Sequence, residues 1–311
     1  MRRWGEKRYN SLDYYCKTTY GEKLYKVVLN GGMSCPNRDG TIGVGGCIFC
    51  SAQGSGDFAG SPEQTITQQL IRGKDQLKQK RPIHSFIAYF QAFTNTYGSV
   101  EYLRHIFMEA IADPEVRILS IATRPDCLGD DVLELLAELN QIKPVWVELG
   151  LQTIHTSTAA YIRRGYTLDV FDRAVSGLRR IGVDVIVHVI LGLPGEDSAQ
   201  IADTLHYLNR MDIQGIKLQM LHVLKGTDLA ADYQAHPFWI PSMEEYVELV
   251  STCIAQLRPD IVVHRITGDG PSDLLIAPVW SSSKRTVLNN INKYLKEQDI
   301  WQGKFYAGKE S

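Results

Sequence analysis

Three of the six cysteines, Cys35, Cys47 and Cys50, stand at the spacing Cys-x11-Cys-x2-Cys in a stretch rich in glycine, including Gly31, Gly32, Gly40, Gly43, Gly45, Gly46, Gly54 and Gly56. Thiolates are soft ligands suited to zinc or an iron–sulfur cluster. Glycines permit positive φ and the close backbone approach that a loop wrapped around an inorganic group requires. Three local thiolates are one short of a closed four-cysteine shell, so either another residue completes the site or one metal position stays open. A structural zinc site wants a fourth ligand nearby, and no histidine lies between Cys16 and His84. A thioredoxin-like pair at Cys47-Ile-Phe-Cys50 leaves Cys35 unexplained, and haem attachment needs a histidine where Ser51 stands. Gly54-Ser-Gly-Asp-Phe-Ala59 formally matches a dinucleotide fingerprint, but it follows a cysteine loop, not a strand, and Gly60-Ser-Pro62 interrupts it. Cys16, Cys127 and Cys253 are isolated and read as inert thiols.

The elements that must position this loop are legible as apolar, β-branched runs at 24–29, 84–90, 116–122, 145–151, 183–191 and 215–221. Helical patterns lie between them, near 62–80, 99–112, 130–142, 168–181 and 197–210. Strands this apolar along their whole length predict burial on both faces, hence a parallel sheet covered by helices. Right-handed crossovers coil such a sheet in one sense, and six units are fewer than the eight of a closed barrel. The expected fold is α/β, a partial (β/α)6 TIM-like barrel with a C-terminal helical and strand extension. Beyond residue 230 the rhythm changes to a Pro-punctuated loop, a helix near 242–257, a short strand at 261–266 and a last helix near 284–298. The division read from this is a basic N-terminal segment (1–23), the barrel (24–230) and an extension that caps it (231–311).

With 44% apolar and 22% charged residues in 311, the composition is that of an ordinary globular chain and excludes disorder, collagen-like repeats and disulfide-rich scaffolds. The longest nearly apolar stretch, 183–193, is half of what a membrane-spanning helix needs and holds Asp184 and His188. The N-terminus is basic with no apolar core behind it, so a cytoplasmic location and no membrane partner are expected. The net charge of −2 hides an uneven distribution: +4 over residues 1–31 and +3 over 281–311, leaving −9 for the middle. Basic ends interleaved with Trp4, Tyr9, Tyr14, Tyr15, Tyr294, Trp301 and Tyr306 suit a polyanion, although such runs are also ordinary solvated surface.

A three-cysteine loop after the first barrel strand, with Phe49 just before the third cysteine, resembles the radical S-adenosylmethionine (SAM) superfamily. The wide first gap is similar to the branch of the elongator catalytic subunit, related to oxygen-independent coproporphyrinogen oxidase. Cys35-Pro-Asn-Arg-Asp-Gly40 and Ala277-Pro-Val-Trp280 are similar to YhcC/YtqA-like bacterial proteins, and the resemblance runs from about Trp4 to Trp301. It implies a [4Fe-4S] cluster on Cys35, Cys47 and Cys50, with the fourth iron taking the amino and carboxylate groups of SAM. It also implies an external electron donor of flavodoxin or ferredoxin type, and reductive cleavage of SAM to a 5′-deoxyadenosyl radical that abstracts hydrogen.

The SAM-binding positions the resemblance implies fall at successive strand ends, where barrel enzymes place their chemistry. Gln91, Ala92 and Thr94 stand where relatives have a Gly-rich turn, and Ala122 stands where elongator-like relatives have Glu, so Thr123 or Arg124 takes over that contact. Gln152 matches a Gly-x-Gln segment, and Arg164 matches the arginine that pairs with the SAM carboxylate. His188 replaces an Asp near the ribose. Leu193 and Leu221, with His222, match adenine-side segments. Each has a plainer reading alone: a turn at Gly192-Leu-Pro-Gly195, a solvated helix end at Arg163-Arg164, a satisfied core group for Gln152 and His188. Arg265, Asp269 and Trp280 are candidates to face substrate, against a plain strand and turn at 265–269. Kinship with the elongator branch and the basic ends imply tRNA at the wobble uridine as substrate. The alternatives are the same chemistry on a small metabolite and a non-enzymatic iron–sulfur or zinc protein.

Overall fold

Each strand expected in the first 230 residues forms, and together they make one parallel sheet with its helices on the outside. The computed structural model describes residues 3–52, 54, 59–79, 83–268 and 270–308. Candidate residue Asp269 and the centre of the fingerprint string, 55–58, lie outside the described residues. In chain order the elements begin with α1 (Leu12–Tyr20), β1 (Tyr25–Leu29), α2 (Ile66–Lys78), β2 (Phe86–Phe90), α3 (Val100–Ala112) and β3 (Val116–Thr123). There follow α4 (Asp130–Ile142), β4 (Val145–Gln152), α5 (Thr156–Tyr161), α6 (Leu168–Arg180), β5 (Asp184–Leu191), α7 (Ser198–Leu208) and β6 (Gly215–Met220). The chain ends with β7 (Val223–Leu224), α8 (Asp228–Ala235), α9 (Met243–Gln256), β8 (Val262–Arg265), β9 (Leu275–Ala277) and α10 (Lys284–Glu297). Thr65, Asp197 and Ser242 open α2, α7 and α9 with reciprocal capping boxes, so these helices start where their sequence says they should.

The sheet runs β1-β2-β3-β4-β5-β6-β8, parallel at every pairing. The expected partial barrel forms, with one strand more than the six read from the sequence. The strand near 261–266 joins the sheet as its seventh member, beside β6, so the segment after residue 230 contributes to the wall. β7 and β9 form a separate antiparallel pair.

Alternation divides each strand between two environments. The outward residues, such as Phe86, Ala88 and Phe90 of β2 and Val145, Val147 and Leu149 of β4, pack under the helices in the main core. The inward residues at the strand starts, Leu24, Ile87, Ile118, Trp146 and Ile186, form an apolar plug that α1 seals with Leu12, Tyr15, Cys16 and Tyr20. Trp146 is 2% exposed, with its ring 5.1 Å from His264 and 6.1 Å from Tyr15. Trp146→Ala is expected to cost about 3–5 kcal/mol, read from the denaturant midpoint. A loss below about 1 kcal/mol would mean that the plug collapses around the cavity.

The two basic ends meet at this closed end of the barrel, away from the cysteine loop. Val263 N–H donates to Asn10 O at 2.7 Å, Gln302 N–H donates to Arg8 O at 2.9 Å, and Arg8 pairs with Asp299 at 2.7 Å. Trp4 and Tyr9 are buried and Tyr15 belongs to the plug, so these rings serve packing. No helix among the described residues is long and apolar enough to cross a membrane.

Candidate active site

The carboxyl ends of the strands surround a cleft holding about 960 Å³ of empty space, its open mouth included. Cys35, Cys47 and Cys50 all line it. Their loop is held by its own backbone and by two side chains from the Cys35-Pro-Asn-Arg-Asp-Gly40 segment. Asn37 Nδ2 donates to Arg163 O at 2.6 Å and approaches Cys47 Sγ at 3.6 Å, while Arg38 donates to Ser51 O at 2.5 Å. Glycine is required at Gly46, where φ is +83° and a Cβ would sit 2.8 Å from Arg38 Nε, and at Gly54, where φ is +65° and a Cβ would sit 2.9 Å from Phe93. The Cys50 thiol hydrogen-bonds Cys47, which outweighs burial and holds the Cys47 thiol down at about 7, with help from Arg124, Asn37 and Arg38. The same bond pushes Cys50 well up. Cys16 and Cys253 are driven by burial to about 11 and about 12, the inert thiols expected of them.

No group of three or more His, Cys, Asp or Glu side chains among the described residues is gathered for a single metal ion. Three soft donors facing one cleft fit an iron–sulfur cluster. A second observation concerns the organic partner. Gln152, in the left-handed region at φ 67°, has a buried side-chain Oε1 with no hydrogen-bond partner among the described residues, and it lines the cleft. A buried amide oxygen without a donor costs about 1–3 kcal/mol, and a ligand N–H or O–H would remove that cost.

Phe49, Gln91, Thr94, Arg124, Arg164 and His188 also line the cleft, as does Arg265. Arg124 and Arg164 have structural partners. Arg124 forks onto Asp126, Nε to Oδ1 at 2.9 Å and the terminal nitrogen to Oδ2 at 2.8 Å. Arg164, 4% exposed, donates to Tyr166 O from two nitrogens and to Leu151 O and Thr153 O from the third. One N–H of its five remains, so the two-pronged hold on a carboxylate is not on offer in this rotamer.

Below this upper ring the inward side chains form an ionic layer above the apolar plug. Glu148 of β4 is completely buried. Its Oε1 accepts from Lys26 at 2.7 Å and Ser120 at 2.9 Å; its Oε2 accepts from His188 Nε2 at 2.7 Å and pairs closely with Lys217. Lys217 also donates to Tyr89 Oη at 3.0 Å. Burial alone would raise the Glu148 carboxyl, but Lys217, Lys26 and His188 hold it well below the usual carboxylate range. Burial and the Lys217 ammonium push His188 down to about 4 against the pull of Glu148. At neutral pH the ring is therefore neutral, with Nε2 donating and Nδ1 an acceptor.

Three candidates lie elsewhere. Leu193 and Leu221 are buried in a small apolar cluster with Ile48 and Ile162, behind the cysteine loop and not at the cleft surface. Trp280 is not among the residues that line the cleft. Its ring packs 5.5 Å from Tyr246 and its Nε1–H donates to Pro241 O at 3.0 Å. Missed altogether were Lys26, Tyr89, Glu148, Lys217 and the loop-tying Asn37 and Arg38. The available signal was a charged residue inside an otherwise apolar strand, at Lys26, Glu148 and Lys217.

Residues 37–208 match the family described as "Radical SAM superfamily", and residues 213–297 match "Radical_SAM C-terminal domain". The chain is 46% identical over 301 residues to the uncharacterized protein YtqA of Bacillus subtilis, covering 97% of this chain and 94% of that one. It is 25% identical over 187 residues to the tRNA uridine(34) acetyltransferase of Methanocaldococcus jannaschii, covering 58% of this chain and 33% of that protein. The archaeal Methanocaldococcus infernus Elp3 shares the fold at TM-score 0.70 and 17% identity, over 90% of this chain and 64% of that one.

Proposed function

The chain belongs to the radical SAM superfamily, and on that premise we propose that it modifies tRNA at the wobble uridine, with SAM and substrate meeting in the cleft at the strand ends. It is an enzyme whose cofactors are a [4Fe-4S] cluster and SAM. When bound, they supply a one-electron reductive cleavage that yields a 5′-deoxyadenosyl radical for hydrogen abstraction. The observation that carries the reading is the convergence on one cleft of three thiols and a Gln152 oxygen that has no partner among the described residues.

Each side chain then has a task set by its surroundings. Cys35, Cys47 and Cys50 hold the cluster, and Asn37 and Arg38 keep their loop in shape. Gln152 accepts a hydrogen bond from SAM, while the remaining N–H of Arg164 and the backbone near Gln91 and Thr94 bind its methionine end. Phe49 and Arg124 border it, and Leu193 and Leu221 back the adenine side from beneath. His188, its Nε2 committed to Glu148, has Nδ1 free to accept from a ribose hydroxyl. An external flavodoxin or ferredoxin type protein supplies the electron.

Support for tRNA comes from the relative named for uridine 34 of tRNA and from the lining of the cleft, where among the described residues Arg38, Arg124, Arg164, Lys217 and Arg265 accompany one acid, Glu148. The test is nucleoside mass spectrometry of tRNA from a strain lacking this gene. One modified uridine is expected to disappear and to return with the wild-type gene but not with Cys50→Ser. Affinity for tRNA is expected to fall steeply with salt. An unchanged nucleoside profile removes the tRNA reading. A small metabolite is then the second reading, favoured by the closed ionic floor of the cleft.

A further inference from the structure

Among the described residues, every polar side chain at the cleft without a task toward the cluster or SAM, save one, is bound to a neighbour. Tyr89 and Glu148 engage Lys217, and Thr123 shares a hydrogen bond with Thr96. The Tyr166 hydroxyl donates to Gly150 O, and Arg265 is engaged as well. Gln219 is the exception. It lines the cleft and is half-buried, and its side-chain amide makes no hydrogen bond among the described residues.

The strands set where this amide points. Gln219 is the fifth residue of β6 and pairs in register with Ile190 of β5. Side chains two apart share a face of a strand, so Gln219 shares with Lys217 the face that looks into the barrel. It stands one layer above the ionic floor, where Lys217 Nζ donates to Tyr89 Oη of β2 at 3.0 Å. Ile190 beside it is apolar and buried and offers the amide no partner. A primary amide carries an acceptor and a donor side by side. That pattern matches the edge of a base in which a ring N–H stands next to a carbonyl, as in uracil, whereas a phosphate would use only half of it. We propose that Gln219 is a specificity-determining residue that reads the Watson–Crick edge of the target uridine, its Oε1 accepting from N3–H and its Nε2 donating to the adjacent carbonyl oxygen. The proposal rests on the reading of the substrate as a uridine of tRNA. Unstacked bases of RNA loops are recognised through this edge. Because the amide is half-buried, water can replace a lost partner, so discrimination is expected to be about tenfold, far short of the roughly 10,000-fold of sealed sites.

The test uses the full chain, reconstituted anaerobically with its cluster and held with SAM. Two anticodon stem-loop RNAs are compared, alike except for uridine or 3-methyluridine at position 34; the methyl group removes the N3–H. At one fixed salt concentration, wild type is expected to bind the uridine RNA about tenfold more tightly than the methylated one. Gln219→Leu is expected to bind both RNAs alike, at the weaker level. The isosteric Gln219→Glu keeps an acceptor but sets a negative oxygen against the carbonyl, and is expected to lose affinity for the uridine RNA as well. SAM affinity, measured by calorimetry on the same samples, is expected to stay within about twofold of wild type, which also shows that the variants are folded. A uridine preference that survives undiminished in Gln219→Leu overturns the assignment. So does a loss of SAM affinity in both variants, which would make the amide a cofactor contact. Equal binding of the two RNAs by wild type overturns the role of Gln219 and leaves the tRNA reading standing if the deletion strain lacks a modified uridine. Binding of neither RNA together with unchanged tRNA nucleosides removes both.

Discussion

Cys50→Ser protein, reconstituted anaerobically with iron and sulfide, is expected to retain its fold, to lose the iron and absorbance of the cluster, and to form at least about 100-fold less 5′-deoxyadenosine than wild type. Even partners behind the ligands typically cost about 10–100-fold when removed, and a direct thiolate ligand contributes more. The loop does not depend on the thiol for its shape. Asn37 ties it to Arg163 O, while Arg38 and the Gly46 turn close it on itself at Ser51 O and Asn37 O, so circular dichroism and the thermal midpoint should stay close to wild type. Cys253→Ala, buried under α9 far from the cleft, is the control that keeps its iron. Full iron content and activity in Cys50→Ser would place the cluster elsewhere.

Removing Glu148 is expected to be the most damaging single change to stability. Glu148→Ala leaves Lys217, buried at the cleft floor, and Lys26 beside it with no carboxylate between them. Breaking one side of a buried ion pair costs about 3–5 kcal/mol, limited here because Lys217 can shed its proton. The double variant Glu148→Leu with Lys217→Met should recover part of the loss, since an apolar replacement of a whole buried pair is often neutral or better. No recovery in the double variant would mean that Glu148 acts through Ser120 and His188 instead. The pH dependence has a definite sign. The folded pKa of Glu148 lies below its ordinary 4.5, so its contribution is complete above that value and disappears as pH falls through the folded pKa. The stability gap between wild type and Glu148→Gln should therefore be constant from neutral pH to about 5 and narrow below it. A constant gap at lower pH would contradict the ion-pair account.

Much of the architecture was legible because it depends on local periodicity. Apolar runs of six to nine residues alternating with helical patterns specify parallel strands and crossovers, and those strands lie where the runs do, within two residues at the ends. The strand at 262–265 was legible as a strand, but its place in the sheet was not. It is four residues long, follows a break in the βα rhythm, and takes its position from pairing with β6 and from the backbone bond to Asn10. The three cysteines that line the cleft could be grouped from their spacing because all three lie on one loop.

The ionic layer was not readable in the same way. Lys26, Glu148 and Lys217 are each one charge in an apolar strand, more than a hundred residues from their partners in two of the three pairs. Trp280 shows the reverse case, a promising aromatic that tertiary packing takes away from the cleft. The amino-acid sequence by itself determined the family of chemistry and the repeating unit, because thiolate spacing and hydrophobic period are properties of short stretches of chain. Only the tertiary structure decided which charges meet. Strand order and register bring β1, β4, β5, β6 and β8 around one axis, and burial there makes a carboxylate and two lysines depend on one another, which no local pattern encodes.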